Sequence, residues 1–165
     1  MMAQPQMRCL VWVVTMAAIC NHALAASLSP SCRSAIDRAL PQSQRPLVRA
    51  EVTDWASRNN FDPTVAFGDY DGDGRRDSAV LLQTGTDRAV AVCLAGKKRT
   101  RLRIIRQPYC DDVLYTSKAG EEHYNYETDK NEQLKRDGIG VECFEKAGAT
   151  YVYENRTFRR IIDSD

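Results

Sequence analysis

The sequence predicts an α+β fold in which one or two N-terminal helices pack on a twisted antiparallel β-meander sheet. Three observations lead to this prediction. Apolar residues recur at helical spacing only near the start, short alternating runs separated by turn residues follow, and an aspartate-rich segment with glycines joins two of those runs. Two disulfide bonds are also expected, because four cysteines remain beyond the first 25 residues.

The predicted helices come first along the chain. One begins at Ser29-Pro30 and ends at Pro41, with apolar residues between them at i, i+3, i+4, i+7 and i+8. A second helix is predicted over residues 46–58, although Val48, Ala50 and Val52 also alternate as they would in a strand. Both helices would cover the sheet with one apolar face.

Short apolar or alternating runs separated by turn residues predict the strands. These runs are residues 64–67, 78–83, 88–94, 101–106, 113–115, 138–144 and 150–153, with a last short strand at Phe158, Ile161 and Ile162. The polar stretch 116–135 is predicted to be the longest loop.

The segment from Asp69 to Asp77 is predicted to be a calcium loop that joins two strands. Counted from Asp69, carboxylates fall at positions 1, 3, 5 and 9 and a backbone carbonyl at position 7, supplied by Asp69, Asp71, Asp73, Asp77 and Arg75 respectively. Four carboxylates this close repel one another unless a cation or basic groups neutralise them. We therefore expect one bound Ca²⁺, and an acidic surface turn without an ion is the alternative.

The residues around this loop resemble a known calcium site. Position 12 is Val80, where helix-loop-helix sites carry glutamate, so the loop leads into a strand. Residues 67–74 (Phe-Gly-Asp-Tyr-Asp-Gly-Asp-Gly) and 77–80 (Asp-Ser-Ala-Val) resemble the loop of FG-GAP and VCBS-type repeats, found in integrin α-chain propellers and bacterial surface proteins. The resemblance covers about residues 65–83. It implies a strand-connecting calcium site for structure and adhesion, with metal roles for the four aspartates; a single copy excludes a propeller.

The first 25 residues are predicted to be a secretory signal. Arg8 precedes an apolar run too short to span a bilayer, and Ala23-Leu24-Ala25 fits a cleavage site. A lipoprotein site at Cys20 and a retained anchor are the alternatives. Cleavage would leave residues 26–165 as a single secreted or periplasmic domain.

The four remaining cysteines are Cys32, Cys93, Cys110 and Cys143. An even number in an exported chain predicts two disulfides, and no C-x-x-C pair supports a zinc site. Three pairings are possible. The sequence slightly favours Cys110 with Cys143, because both lie beside strand-like runs and would close the long polar stretch.

The charge pattern gives no sign of specific nucleic-acid binding. The formal net charge is +1, and loss of Arg8 makes it zero. One basic run stands out, because Arg99, Arg101 and Arg103 would share one face of a strand. That face could hold an anionic polymer, but we interpret it as the solvated side of a half-buried strand.

Enzyme motifs are scarce, so a small exported calcium-loop protein with a non-enzymatic binding role is expected, and another envelope or extracellular protein is its expected partner. One alternative is a periplasmic inhibitor or immunity-type protein against a cell-wall-degrading enzyme or toxin. Another is a hydrolase that uses the loop containing Glu121, Glu122, His123 and Glu127. Asn155 begins an N-glycan acceptor motif.

Overall fold

A computed structural model describes residues 28–106 and 108–164 of the chain. The predicted signal at residues 1–25 lies outside this part. Within the described residues, two helices precede ten strands. They are α1 (Pro30–Ala39), α2 (Ala50–Arg58), β1 (Val65–Gly68), β2 (Asp77–Thr84), β3 (Asp87–Ala95), β4 (Thr100–Arg106), β5 (Val113–Ser117), β6 (Glu122–Asn125), β7 (Lys130–Gln133), β8 (Gly138–Cys143), β9 (Ala147–Glu154) and β10 (Thr157–Ser164).

Both helices form where the apolar spacing predicts them. The Ser29 hydroxyl caps α1 by accepting the N–H of Cys32 at 3.1 Å. The second helix begins at Ala50 rather than at residue 46. In the segment before it, Leu47 is 93% exposed, so this apolar residue does not extend the buried face of the helix. Neither helix of the described chain has the length and apolar character that a bilayer span requires.

The strands form two four-stranded sheets and a separate two-stranded hairpin, which corrects the prediction of one sheet. The first sheet has the order β1-β2-β3-β4 and the second the order β10-β9-β8-β5, while β6 pairs with β7. All these pairings are antiparallel, as predicted. The α+β class is thus retained with a second sheet added.

The second sheet is explained by the two apolar faces of the first. In β2, Ala79 and Leu81 belong to a core that also contains residues of the second sheet. The alternate residues Val80 and Leu82 belong to a different cluster, which includes Ile36 of α1. The first sheet is therefore covered by α1 on one side and by the second sheet on the other.

The prediction of a long loop over residues 116–135 is wrong in part. Strand β5 continues to Ser117, and the hairpin of β6 and β7 occupies most of the remainder. The hairpin lacks the alternating apolar residues that identify a strand, because most of its side chains are at least partly exposed. The last strand is also longer than predicted, at 8 residues.

Two disulfides form, and one is the pair that the sequence favours. Cys110 bonds to Cys143, with 4.8 Å between their Cα atoms. Cys32 bonds to Cys93 at a Cα separation of 5.6 Å and ties α1 to β3. Both bonds therefore link parts of the chain that are distant in sequence.

Candidate metal centre

The aspartate loop, which we define as residues 69–77, joins β1 to the start of β2. Gly72 and Gly74 have φ angles of 74° and 79°, a region that side chains disfavour. The two glycines thus permit the tight path predicted from the sequence.

Tyr70 anchors the loop to the core between the two sheets. Its side chain is fully buried, and its hydroxyl lies 2.9 Å from the Thr116 hydroxyl. The Thr116 hydroxyl in turn donates to the carbonyl of Phe67 at 3.0 Å, so Tyr70 is the donor to Thr116. Burial raises the pKa of Tyr70, which keeps this hydroxyl protonated at neutral pH.

Asp77 is the buried carboxylate of the loop, with 1% of the residue exposed. One of its oxygens accepts the N–H of Ala95 at 2.7 Å, and the other accepts those of Tyr70 at 2.9 Å and Asp71 at 3.4 Å. Burial, followed by the charge of Asp71, raises the pKa of Asp77 to about 6, although these hydrogen bonds oppose the shift.

Asp69 organises the outer part of the loop. Its two carboxylate oxygens accept the N–H groups of Asp73 and Gly74, both at 2.9 Å. Its own N–H donates to the Asp137 carboxylate at 3.1 Å. Each carboxylate oxygen has two lone pairs, so Asp69 retains acceptor capacity for a further ligand.

Asp71 has a buried carboxylate oxygen that is left without a hydrogen-bond partner among the described residues. Its side chain is 5% exposed, and its Oδ2 atom accepts a hydrogen bond from Arg101. Its Oδ1 atom is buried and has no hydrogen-bond partner among the described residues. Burial and the charges of Asp73 and Asp69 raise the pKa of Asp71, against the effect of Arg101. A buried acceptor without a partner is costly, so this oxygen favours a bound ligand.

Three of the four predicted aspartates come together. Asp69, Asp71 and Asp77 each offer an oxygen, and these oxygens lie within 4.8 Å of one another. Oxygens that bind Ca²⁺ at 2.3–2.6 Å can be at most about 5 Å apart, so this spacing fits a shared ion. The Asp73 side chain is not in this cluster; it accepts from Arg75 Nη1 at 3.2 Å.

Two arginines donate hydrogen bonds to Asp71 of the aspartate loop. Besides the pair of Arg101 with Asp71, Arg136 donates to the Asp71 carbonyl at 2.8 Å. Arg136 lies 65 residues from Asp71, so no spacing rule could have identified it. Arg101 belongs to the basic run noticed in the sequence, but its interpretation as a solvated residue missed this contact.

We expect the calcium affinity of this site to fall on acidification. The cation-free folded state holds the pKa of Asp77 near 6, above the ordinary 3.8, so protons compete with the metal below about pH 6. One proton displaced per ion makes the dissociation constant at pH 5 about tenfold higher than at pH 7. Calorimetric titration at both pH values measures this ratio, and equal affinities would contradict it.

In the cation-free protein, acidification has the opposite effect, because protonation of Asp77 favours the folded state. Between pH 3.8 and about 6, its folded state binds more protons at Asp77 than the unfolded state does. This group therefore stabilises the metal-free fold at acidic pH, and that contribution is lost as the pH rises through about 6.

Some residues of the alternative hydrolase site contact residues outside that site. His123 lies on β6, and its Nδ1 atom is 2.7 Å from Asp163, whereas Glu127 pairs with Arg160. The Nε2 atom of His123 is 3.7 Å from Glu121. The structure thus brings His123 close to Glu121 but pairs Glu127 with Arg160, so it assembles only part of the predicted acid–base group.

Comparisons of the chain with protein-family models, with curated proteins and with solved structures give no match. The resemblance to FG-GAP and VCBS-type repeats therefore stays a prediction based on about residues 65–83.

Proposed function

We propose that this is a small exported protein with a non-enzymatic binding role, in which the aspartate loop holds one Ca²⁺. The observation that carries the proposal is the buried, unpartnered Oδ1 of Asp71 within a cluster of three carboxylates. Hard divalent cations take carboxylate oxygens as ligands, and a cation would relieve the repulsion within the cluster. The two disulfides support export, because such bonds persist in oxidising compartments.

Asp69, Asp71 and Asp77 would bind the ion directly, and Asp73 and the Arg75 carbonyl would complete its coordination. Asp73 would have to turn away from the Arg75 side chain. That surface ion pair is partly exposed and contributes about 1 kcal/mol or less, so its loss costs little compared with a new metal ligand.

The ion would fix the shape of a surface loop without determining the fold. Extracellular calcium modules have dissociation constants of roughly 0.1 to 1 mM. At about 1 mM free Ca²⁺, such binding stabilises the folded state by roughly 0.4 to 1.4 kcal/mol. A rigid loop of this kind would present a defined surface to another envelope or extracellular protein.

Hydrogen exchange with and without a calcium chelator tests this proposal. Chelation is expected to increase amide exchange within residues 69–77 while the strands of both sheets keep their protection. The cooperative melting transition should persist. Unchanged exchange in the loop, or loss of cooperative melting in chelator, would refute the proposed role.

The alternative functions have separate tests. An inhibitor or immunity-type protein would retain one tight partner from a periplasmic or envelope extract.

A hydrolase that used Glu122 and His123 would lose activity in a Glu122→Gln, His123→Ala variant, and unchanged activity would exclude it.

A further inference from the structure

The arginine face of β4 lies on the inner side of the first sheet and not on its outer surface. Side chains alternate along a strand, so Arg101, Arg103 and Ile105 point to the same side. Ile105 belongs to the core shared by the two sheets. Leu102 and Ile104 pack on the opposite side, in the cluster that includes α1. The two arginines are partly exposed, so they lie where the inner side opens to solvent.

The second sheet brings further cations to this opening. Arg156, in the turn between β9 and β10, lines a cavity of about 140 Å³ together with Arg103. It also lines a second cavity, of about 500 Å³, together with Lys135 and Arg136. Arg156 lines both cavities, so they are neighbours on the surface, and we call the two together the basic groove.

The cations of the basic groove are not directly paired with carboxylates of the described chain, although Arg136 lies beside the aspartate loop. Among the described residues, no ion pair involves Arg103, Lys135, Arg136 or Arg156. Glu154 is the acidic residue that lines the larger cavity, and it pairs with Arg159 at 3.2 Å. Clustered like charges raise the local positive potential, which favours an anion in the groove.

Two of these cations are held in place by the backbone around them. Arg136 is fixed by its hydrogen bond to the Asp71 carbonyl. Asn155 and Arg156 form a two-residue hairpin turn with φ angles of 50° and 68°, a left-handed conformation in which glycine is the usual second residue. An arginine at that position costs conformational energy, and the turn presents its side chain at the groove.

We propose that the basic groove binds a linear polyanion with repeated phosphate or sulfate groups and no aromatic bases. Four cations spread over two neighbouring cavities match successive charges on a chain better than they match one compact anion. The aromatic residues that line the groove are Tyr153, which is buried, and Phe158, which packs on it with 5.0 Å between ring centroids. Neither offers an exposed ring on which a base could stack.

Binding of inorganic polyphosphate in calcium-free buffer, followed by calorimetry over a range of salt concentrations, tests the proposal. Four contacts predict that the logarithm of affinity falls with the logarithm of salt with a slope of about −3. A Lys135→Gln, Arg156→Gln variant should lose about 0.7 of this slope per contact and about tenfold in affinity at low salt. Both residues are exposed, so the variant should fold with an unchanged melting temperature.

An Arg33→Gln, Arg58→Gln variant is the matched control. It removes the same charge from exposed positions on α1 and α2, and it should bind polyphosphate as the original protein does. Heparin in the same assay tests a sulfated chain in place of a phosphorylated one. Binding of either polymer supports the proposal. The polymer that binds more tightly shows whether the groove prefers sulfate or phosphate groups. No binding of either, an equal loss in the control variant, or tighter binding of single-stranded DNA would overturn it.

Discussion

Replacement of both Cys32 and Cys93 with alanine is expected to lower the free energy of unfolding by about 4 kcal/mol. The bond joins residues 61 positions apart, and the entropy gained by the unfolded chain when this loop opens accounts for that magnitude. Both cysteines are buried between α1 and the first sheet, so the change also loosens this contact. Denaturant unfolding of the double variant measures the loss.

The Cys110–Cys143 bond provides the internal comparison. It closes a shorter loop, with a separation of 33, and its removal should cost slightly less, though still about 4 kcal/mol. Either loss exceeds the 0.4 to 1.4 kcal/mol estimated for calcium removal. If chelation destabilised the protein more than the loss of Cys32–Cys93, this ranking would be wrong.

The change Asp77→Ala is expected to destabilise the protein by about 3 kcal/mol even in calcium-free buffer. The carboxylate accepts the N–H groups of Tyr70 and Ala95, and alanine leaves both without this partner, the first in the core and the second half-buried. Each unsatisfied buried donor costs about 1–3 kcal/mol. The neutral side chain also relieves some repulsion from Asp71, which keeps the estimate below the upper limit. Thermal and denaturant unfolding in chelator provide the measurement.

Two variants separate this structural role from simple charge removal. Asp77→Asn retains a side-chain oxygen and should lose less stability than Asp77→Ala. Asp73→Ala removes an exposed carboxylate of the same loop and should cost about 1 kcal/mol or less. Equal losses for Asp73→Ala and Asp77→Ala would show that the hydrogen bonds of Asp77 are not what stabilises the loop.

Local signals in the sequence account for the elements that were predicted well. Helix α1 has a cap and a regular apolar face, and β2 and β3 are apolar runs bounded by the Gly85 turn. The division into two sheets was not predicted, because strand pairing depends on distant partners. The hairpin of β6 and β7 was missed since its side chains are mostly polar and lie outside the main cores.

In the candidate site too, features set by residues close in sequence are predictable, and features set by distant residues are not. The spacing of the aspartates predicts a loop that joins two strands, and three of them do converge. The contacts of Arg101 and Arg136 with Asp71 depend on how β4 and the segment before β8 are placed in three dimensions. The side-chain orientation of Asp73 toward Arg75 is likewise not determined by the sequence spacing of the aspartates.

Calorimetric titration of the purified protein with Ca²⁺ tests the central claim most directly. We expect one site with a dissociation constant of roughly 0.1 to 1 mM. Binding should be lost in Asp71→Asn and kept in Asp37→Asn, which removes an exposed charge from α1. Absence of heat at millimolar Ca²⁺, or an unchanged isotherm for Asp71→Asn, would contradict a metal site in the aspartate loop.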